Sequence, residues 1–102
     1  MIIYVDIDDT ICYYPDNDKT NYNNALPYTD RINKINTLYK QGNTIIYWTA
    51  RGTKTGINWF HITLSQLNKW NCLFHELRMN KPFYDIFIDD KNIDSYTFFN
   101  SS

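Results

Sequence analysis

Cysteine is scarce in this sequence, no apolar run exceeds the length of a strand, and neither sign of charge dominates. The two cysteines, Cys12 and Cys72, are too few for a disulfide scaffold and suit a reduced, cytoplasmic protein. Each reads as a small buried hydrophobe rather than a nucleophile. With no run long enough to span a bilayer, and no basic-then-apolar layout in the first residues, neither a membrane span nor a signal peptide is expected. A formal net charge of -1 supplies no field for a polyphosphate backbone, so nucleic acid would be met only at a phosphorylated end. At 102 residues the chain is expected to form one domain over 1–99, with 100–102 a frayed tail.

What is present begins with Ile2-Ile3-Tyr4-Val5, an apolar run that reads as a buried strand. It ends in acid. Asp6, Asp8 and Asp9 fall within four residues, and in an α/β sheet the carboxyl ends of strands are where ligands sit. Aromatics make up 18% of the chain, nine of them Tyr, a supply of side chains that pack and also carry a hydroxyl.

Ile11 to Asn24 shows no sustained period and reads as a long loop folding back over the acidic corner, where Tyr13, Tyr14 and Tyr22 are candidates to touch a substrate. Pro27 opens a helix expected to run to Gln41, with Ile32, Ile35, Leu38 and Tyr39 on one face and Gly42 ending it. Thr44 to Trp48 is a second buried strand. A second helix is expected over Ile57 to Trp70, with Thr55 near its start as a cap. Cys72 to Leu77 reads as a third strand, and His61 and His75 as structural residues rather than bases. Ile86 to Ile88, followed by Asp89 and Asp90, repeats the apolar-then-acidic pattern of the opening.

Strands alternating with helices specify a parallel sheet with helices on its faces. Right-handed crossovers place the second strand beside the first and the third beyond it, leaving the free side of strand one for Ile86–Ile88. The expected fold is therefore a three-layer, Rossmann-like α/β domain with strand order 4-1-2-3. That order gathers Asp6, Asp8, Thr49, Asp89 and Asp90 at one corner. So many carboxylates are tolerable together only around a hard divalent cation, and magnesium is expected.

The motifs, taken in order, resemble those of the haloacid dehalogenase superfamily. Asp6-x-Asp8-x-Thr10 is similar to its first motif, the strand ending at Thr49 to its second, Lys81 to its third, and Ile86-Phe87-Ile88-Asp89-Asp90 to its fourth. Tyr22-x-x-Ala25-x-Pro27, Trp48-Thr49-Ala50-Arg51-Gly52, His75-Glu76-Leu77 ahead of Lys81-Pro82, and Ile88-Asp89-Asp90-Lys91 resemble small capless phosphatases associated with capsular or lipopolysaccharide biosynthesis. Neither gap that carries a cap domain in relatives is long enough for one here.

The resemblance implies a magnesium-dependent phosphomonoester hydrolase acting on a sugar phosphate, a nucleotide or another phosphorylated metabolite. Asp6 would be the nucleophile, forming a phosphoaspartate, and Asp8 the acid and base. Thr10 would steady the Asp8 loop. Thr49, the Ala50 N–H and Lys81 would bind the phosphoryl oxygens, and Arg51 or Lys91 would contact a second anionic group or pair with a nearby carboxylate. Asp6, Asp8, Asp89 and Asp90 would hold the metal. A phosphotransferase or mutase uses similar parts, and a non-catalytic phospholigand-binding module is the rival outside enzymes. An open site also allows a homo-oligomer in which a partner subunit closes it.

Overall fold

The structure is a computed structural model that describes residues 1–100. Three short strands form a parallel sheet: β1 (Ile2–Val5), β4 (Thr44–Trp48) and β5 (Glu76–Arg78), in the order β1-β4-β5. Ile2 pairs with Thr44 and Ile46 with Glu76, so the carboxyl ends of all three lie along one edge. A separate antiparallel pair, β2 (Cys12–Tyr13) and β3 (Leu26–Pro27), closes the segment after the acidic turn. Helices α1 (Thr29–Lys40), α2 (Phe60–Lys69) and α3 (Ser95–Asn100) complete the chain. This is a small α/β fold consistent with the Rossmann-like class, and no helix among the described residues is long and apolar enough to cross a membrane.

The period of two in the strands decides where the core forms. Ile3, Val5, Ile45, Tyr47 and Leu77 join Ile32 and Ile35 of α1 and Leu67 of α2 in one apolar cluster. The alternate residues Ile2, Tyr4, Glu76 and Arg78 are exposed. The core therefore grows on one face of the sheet, and the second helical layer that the sequence led us to expect is not formed among the described residues.

Several boundaries move for identifiable reasons. Pro27 pairs with Cys12 instead of opening α1, which starts at Thr29. Gly42, at φ 96°, does end that helix in the left-handed region. The start of α2 lies at Phe60, whose N–H is taken by Asn58 Oδ1 at 3.0 Å, while Thr55 accepts from Ile57 in the preceding loop. β5 is shorter and later than Cys72–Leu77 because Cys72 N–H still bonds Leu67 of the helix end. His75 is structural, as expected: its Nδ1 accepts from Ile45 N–H at 3.1 Å and its ring stacks on Tyr39.

The larger departure is at the fourth strand. Ile86–Ile88 forms no strand and does not pair with β1, so the order 4-1-2-3 is reduced to its last three members. Ile86 and Ile88 are 78% and 94% exposed. Of the tail expected to fray, Asn100 instead closes α3, with its side-chain amide donating to Tyr96 O, and 101–102 lie outside the described residues.

Candidate functional site

β1 ends at Val5 and delivers Asp6 to the carboxyl edge of the sheet, next to the end of β4, where Thr49 follows Trp48. Thr49 N–H donates to Arg78 O and Lys81 N–H donates to Thr49 O, both at 3.0 Å. The backbone after β5 thus continues along β4, carrying Lys81 to the corner. Lys81 Nζ lies 3.7 Å from Asp6 Oδ1, between the faces of Trp48 and Tyr84. The Thr53 hydroxyl donates to Lys81 O at 2.8 Å and fixes the turn from the other side. Asp6, Thr49 and Lys81, from three of the four expected motifs, are therefore neighbours.

Burial pushes the Asp6 carboxyl above its ordinary range, the Lys81 charge pulls it back, and the negative charge of Asp8 adds to the rise. Thr49 is 1% exposed, and its hydroxyl oxygen accepts from Arg51 N–H at 3.1 Å, leaving the hydroxyl proton for an acceptor.

Asp8 lies in a second cluster. Arg51 donates through Nε to Asp8 Oδ2 at 3.0 Å and through a terminal nitrogen to Oδ1 at 2.8 Å, a bidentate pair. Tyr14 donates its hydroxyl to the same Oδ1 at 2.6 Å. The Arg51 side chain is fully buried and also donates to Thr63 Oγ1 and Gln66 Oε1. Burial works against its charge, but the hydrogen bonds and charge of Asp8 outweigh that and hold its pKa above the usual arginine value. Of the two readings of Arg51, contact with a second anionic group or a pair with a nearby carboxylate, the pair is what forms, and the side chain faces the interior.

Of the three tyrosines expected over the acidic corner, Tyr13 packs on Tyr28 instead, and the other two are turned inward. Tyr14 is buried on Asp8, and Tyr22 packs over the Arg51 guanidinium at 4.8 Å and edge-on to Trp59. Cys12 is buried with Sγ 3.4 Å from Asp8 Oδ1, and burial beside that carboxylate pushes its thiol up, the opposite of an activated nucleophile. Thr63 and Gln66 were not singled out by sequence, and Tyr14 was singled out as a substrate contact rather than as a partner of Asp8. The available signal was the polar pair 63 and 66 beside Leu67 on a helix that follows Arg51.

Thr10 holds the turn through its backbone: its N–H donates to Ile7 O at 3.1 Å and its carbonyl accepts from Arg31. Asp9 takes a left-handed φ of 61° and pairs with Lys19 on the surface. Ala50 accepts from Thr53 N–H in the turn that follows Thr49. Asp89 and Asp90 are exposed on the segment that leaves the sheet, with Asp89 accepting from Lys91 N–H. Lys91 itself is exposed there. Among the described residues no group of three or more His, Cys, Asp or Glu stands close enough to hold a metal ion, so Asp6, Asp8, Asp89 and Asp90 do not converge as expected. The physical reason is the missing fourth strand, which alone would carry Asp89 to Asp6.

No family model matches the chain, and no curated protein does either. A solved structure of a structural-genomics target from Vibrio cholerae is similar, with a TM-score of 0.85 at 24% identity, covering 99% of this chain and 89% of that one. At that identity the likeness shows the fold.

Proposed function

We propose that this protein is a phosphomonoester hydrolase of the haloacid dehalogenase type, working through a phosphoaspartate at Asp6 on a sugar phosphate, nucleotide or similar metabolite. The observation that carries the reading is the meeting of Asp6, Lys81 and Thr49 at the carboxyl edge of a parallel sheet. A carboxylate beside an ammonium and a threonine hydroxyl is a nucleophile next to two groups that stabilise phosphoryl oxygens.

An Asp6 oxygen attacks phosphorus, the bond from phosphorus to the ester oxygen breaks, and an acyl phosphate forms. Lys81 offsets the charge on both the carboxylate and the phosphoryl group, and Thr49 donates to a phosphoryl oxygen. Water then attacks phosphorus and releases phosphate, restoring Asp6. Asp8, on releasing Arg51, gives its proton to the leaving oxygen and takes one back from the attacking water.

Magnesium dependence belongs to this proposal. The carboxylates expected to hold the ion do not fit it within one chain, since only Asp6 faces the Lys81 corner while Asp8 is occupied by Arg51. The Arg51 clamp favours a second reading, a binding module for phosphorylated ligands without turnover. Phosphate release from a generic aryl phosphate, dependent on magnesium and lost in Asp6→Asn, is the expected result; full turnover in that variant contradicts the hydrolase mechanism, and no turnover in wild type favours the module.

A further inference from the structure

The ion pair between Lys81 and Asp6 does not by itself aim the lysine. Lys81 Nζ stands 3.7 Å from Asp6 Oδ1, too far for a hydrogen bond that would fix its direction. A lysine ammonium is a point charge on a flexible four-carbon stem, so that pair alone leaves it free to swing into solvent. Yet the Lys81 side chain is only 17% exposed, against 54% for Lys19, which pairs with Asp9 on the surface.

Two sets of contacts account for this. The first holds the backbone: Lys81 N–H donates to Thr49 O at 3.0 Å and Lys81 O accepts from the Thr53 hydroxyl at 2.8 Å, so the residue is tied on both sides to the chain leaving β4. Thr53 is itself aimed by a turn, its N–H donating to Ala50 O at 3.0 Å. Thr49 and Lys81, the two groups proposed to meet phosphoryl oxygens, are thereby referenced to one segment.

The second set holds the ammonium. Nζ lies 6.0 Å from the centroid of Trp48 and 5.5 Å from that of Tyr84, within the range over which a ring face attracts a cation. Neither ring is loose. Strand alternation turns Trp48 away from the core that Tyr47 joins, and there its indole N–H donates to Met79 O at 3.2 Å and its ring meets Tyr4 edge-on at 5.7 Å. Tyr84 packs on Phe87 at 5.3 Å. The Asp6 side chain keeps 40% exposure, so the corner is closed around the lysine and open at the nucleophile.

We propose that Thr53, Trp48 and Tyr84 are positioning residues that hold the Lys81 ammonium beside Asp6 in advance of the substrate. A charge already in place costs no reorganisation when the phosphoryl group arrives. The role in turnover rests on the proposed phosphatase reading; the holding of Lys81 does not.

Tyr84 is the residue to test, because it is 40% exposed and lies outside the helices and strands. Tyr84→Leu should lower kcat roughly fivefold or more, the size of one cation–π contact, with less effect on KM, and Tyr84→Phe, which keeps the ring, should restore it. Thr53→Val should lose activity likewise and Thr53→Ser recover it. In a Lys81→Met background both losses should vanish; a loss of the same size there shows that these residues do not act through Lys81 and overturns the proposal.

Acetylation of the full chain with acetic anhydride, read by mass spectrometry, needs no turnover. Lys81 should be labelled several-fold more slowly than the exposed Lys40 and Lys69, and Tyr84→Leu, but not Tyr84→Phe, should raise its rate toward theirs. Lys81 labelled as fast as those two in wild type, or at one rate in wild type and Tyr84→Leu, overturns the holding. Protection without turnover leaves it standing and removes the phosphatase reading; turnover with an unprotected Lys81 does the reverse.

Discussion

Arg51 grips both oxygens of Asp8 from a fully buried position, with the Tyr14 hydroxyl on the same carboxylate. Two residues expected to face substrate are thereby spent on holding the acidic turn against α2. Breaking a buried pair by removing one partner typically costs about 3–5 kcal/mol, because the other charge is left uncompensated. Asp8→Asn should therefore lower the urea midpoint strongly as well as abolish activity. A variant as stable as wild type would show that the pair does not carry that load.

Asp6 should behave in the opposite way. Its carboxyl is raised in the folded state by burial, with Lys81 opposing and Asp8 adding. A raised folded-state value means the native protein holds its proton more tightly than the unfolded chain, so the group's contribution to stability falls as pH rises through that window. At neutral pH the charged form is the penalised one. Asp6→Asn should be at least as stable as wild type near pH 7, the difference closing below the ordinary aspartate range, as thermal melts across pH would show.

Lys81→Met should lower turnover by roughly a hundredfold to a thousandfold, the usual cost of losing one charge-stabilising donor. It should also push the Asp6 carboxyl further up, because Lys81 is what holds it down. The acidic limb of the pH–rate profile should then move to higher pH. An unmoved limb in the variant would separate Lys81 from Asp6.

Gly52→Ala tests the loop that aims Arg51. Gly52 sits at φ 79°, and a Cβ there would lie 2.0 Å from the Ile57 carbonyl oxygen. Strain at such a position costs about 1–3 kcal/mol before the clash is counted. A loss of that size or more in denaturant unfolding is expected, with displacement of the Ile57 segment.

Much of the site was legible because short motifs sit at strand ends. Val5 and Trp48 end their strands where the apolar runs stop, and Asp6 and Thr49 follow. Lys81 reaches the corner through a backbone bond to Thr49 that no side-chain pattern encodes, and only its resemblance to the third motif singled it out. The inward turn of Arg51 was not legible, since its partners Thr63 and Gln66 come from a later helix. Nor was the fate of Ile86–Ile88: an apolar run fixes what a strand can be, not which sheet edge receives it.

The proposed hydrolysis turns on a covalent bond between phosphorus and Asp6. Acid-quenching the protein during turnover of an aryl phosphate, reducing with borohydride, and sequencing the N-terminal peptide by mass spectrometry tests this directly. Conversion of residue 6 from aspartate to homoserine is the result expected, absent in Asp6→Asn. Sustained phosphate release with residue 6 unaltered would contradict it.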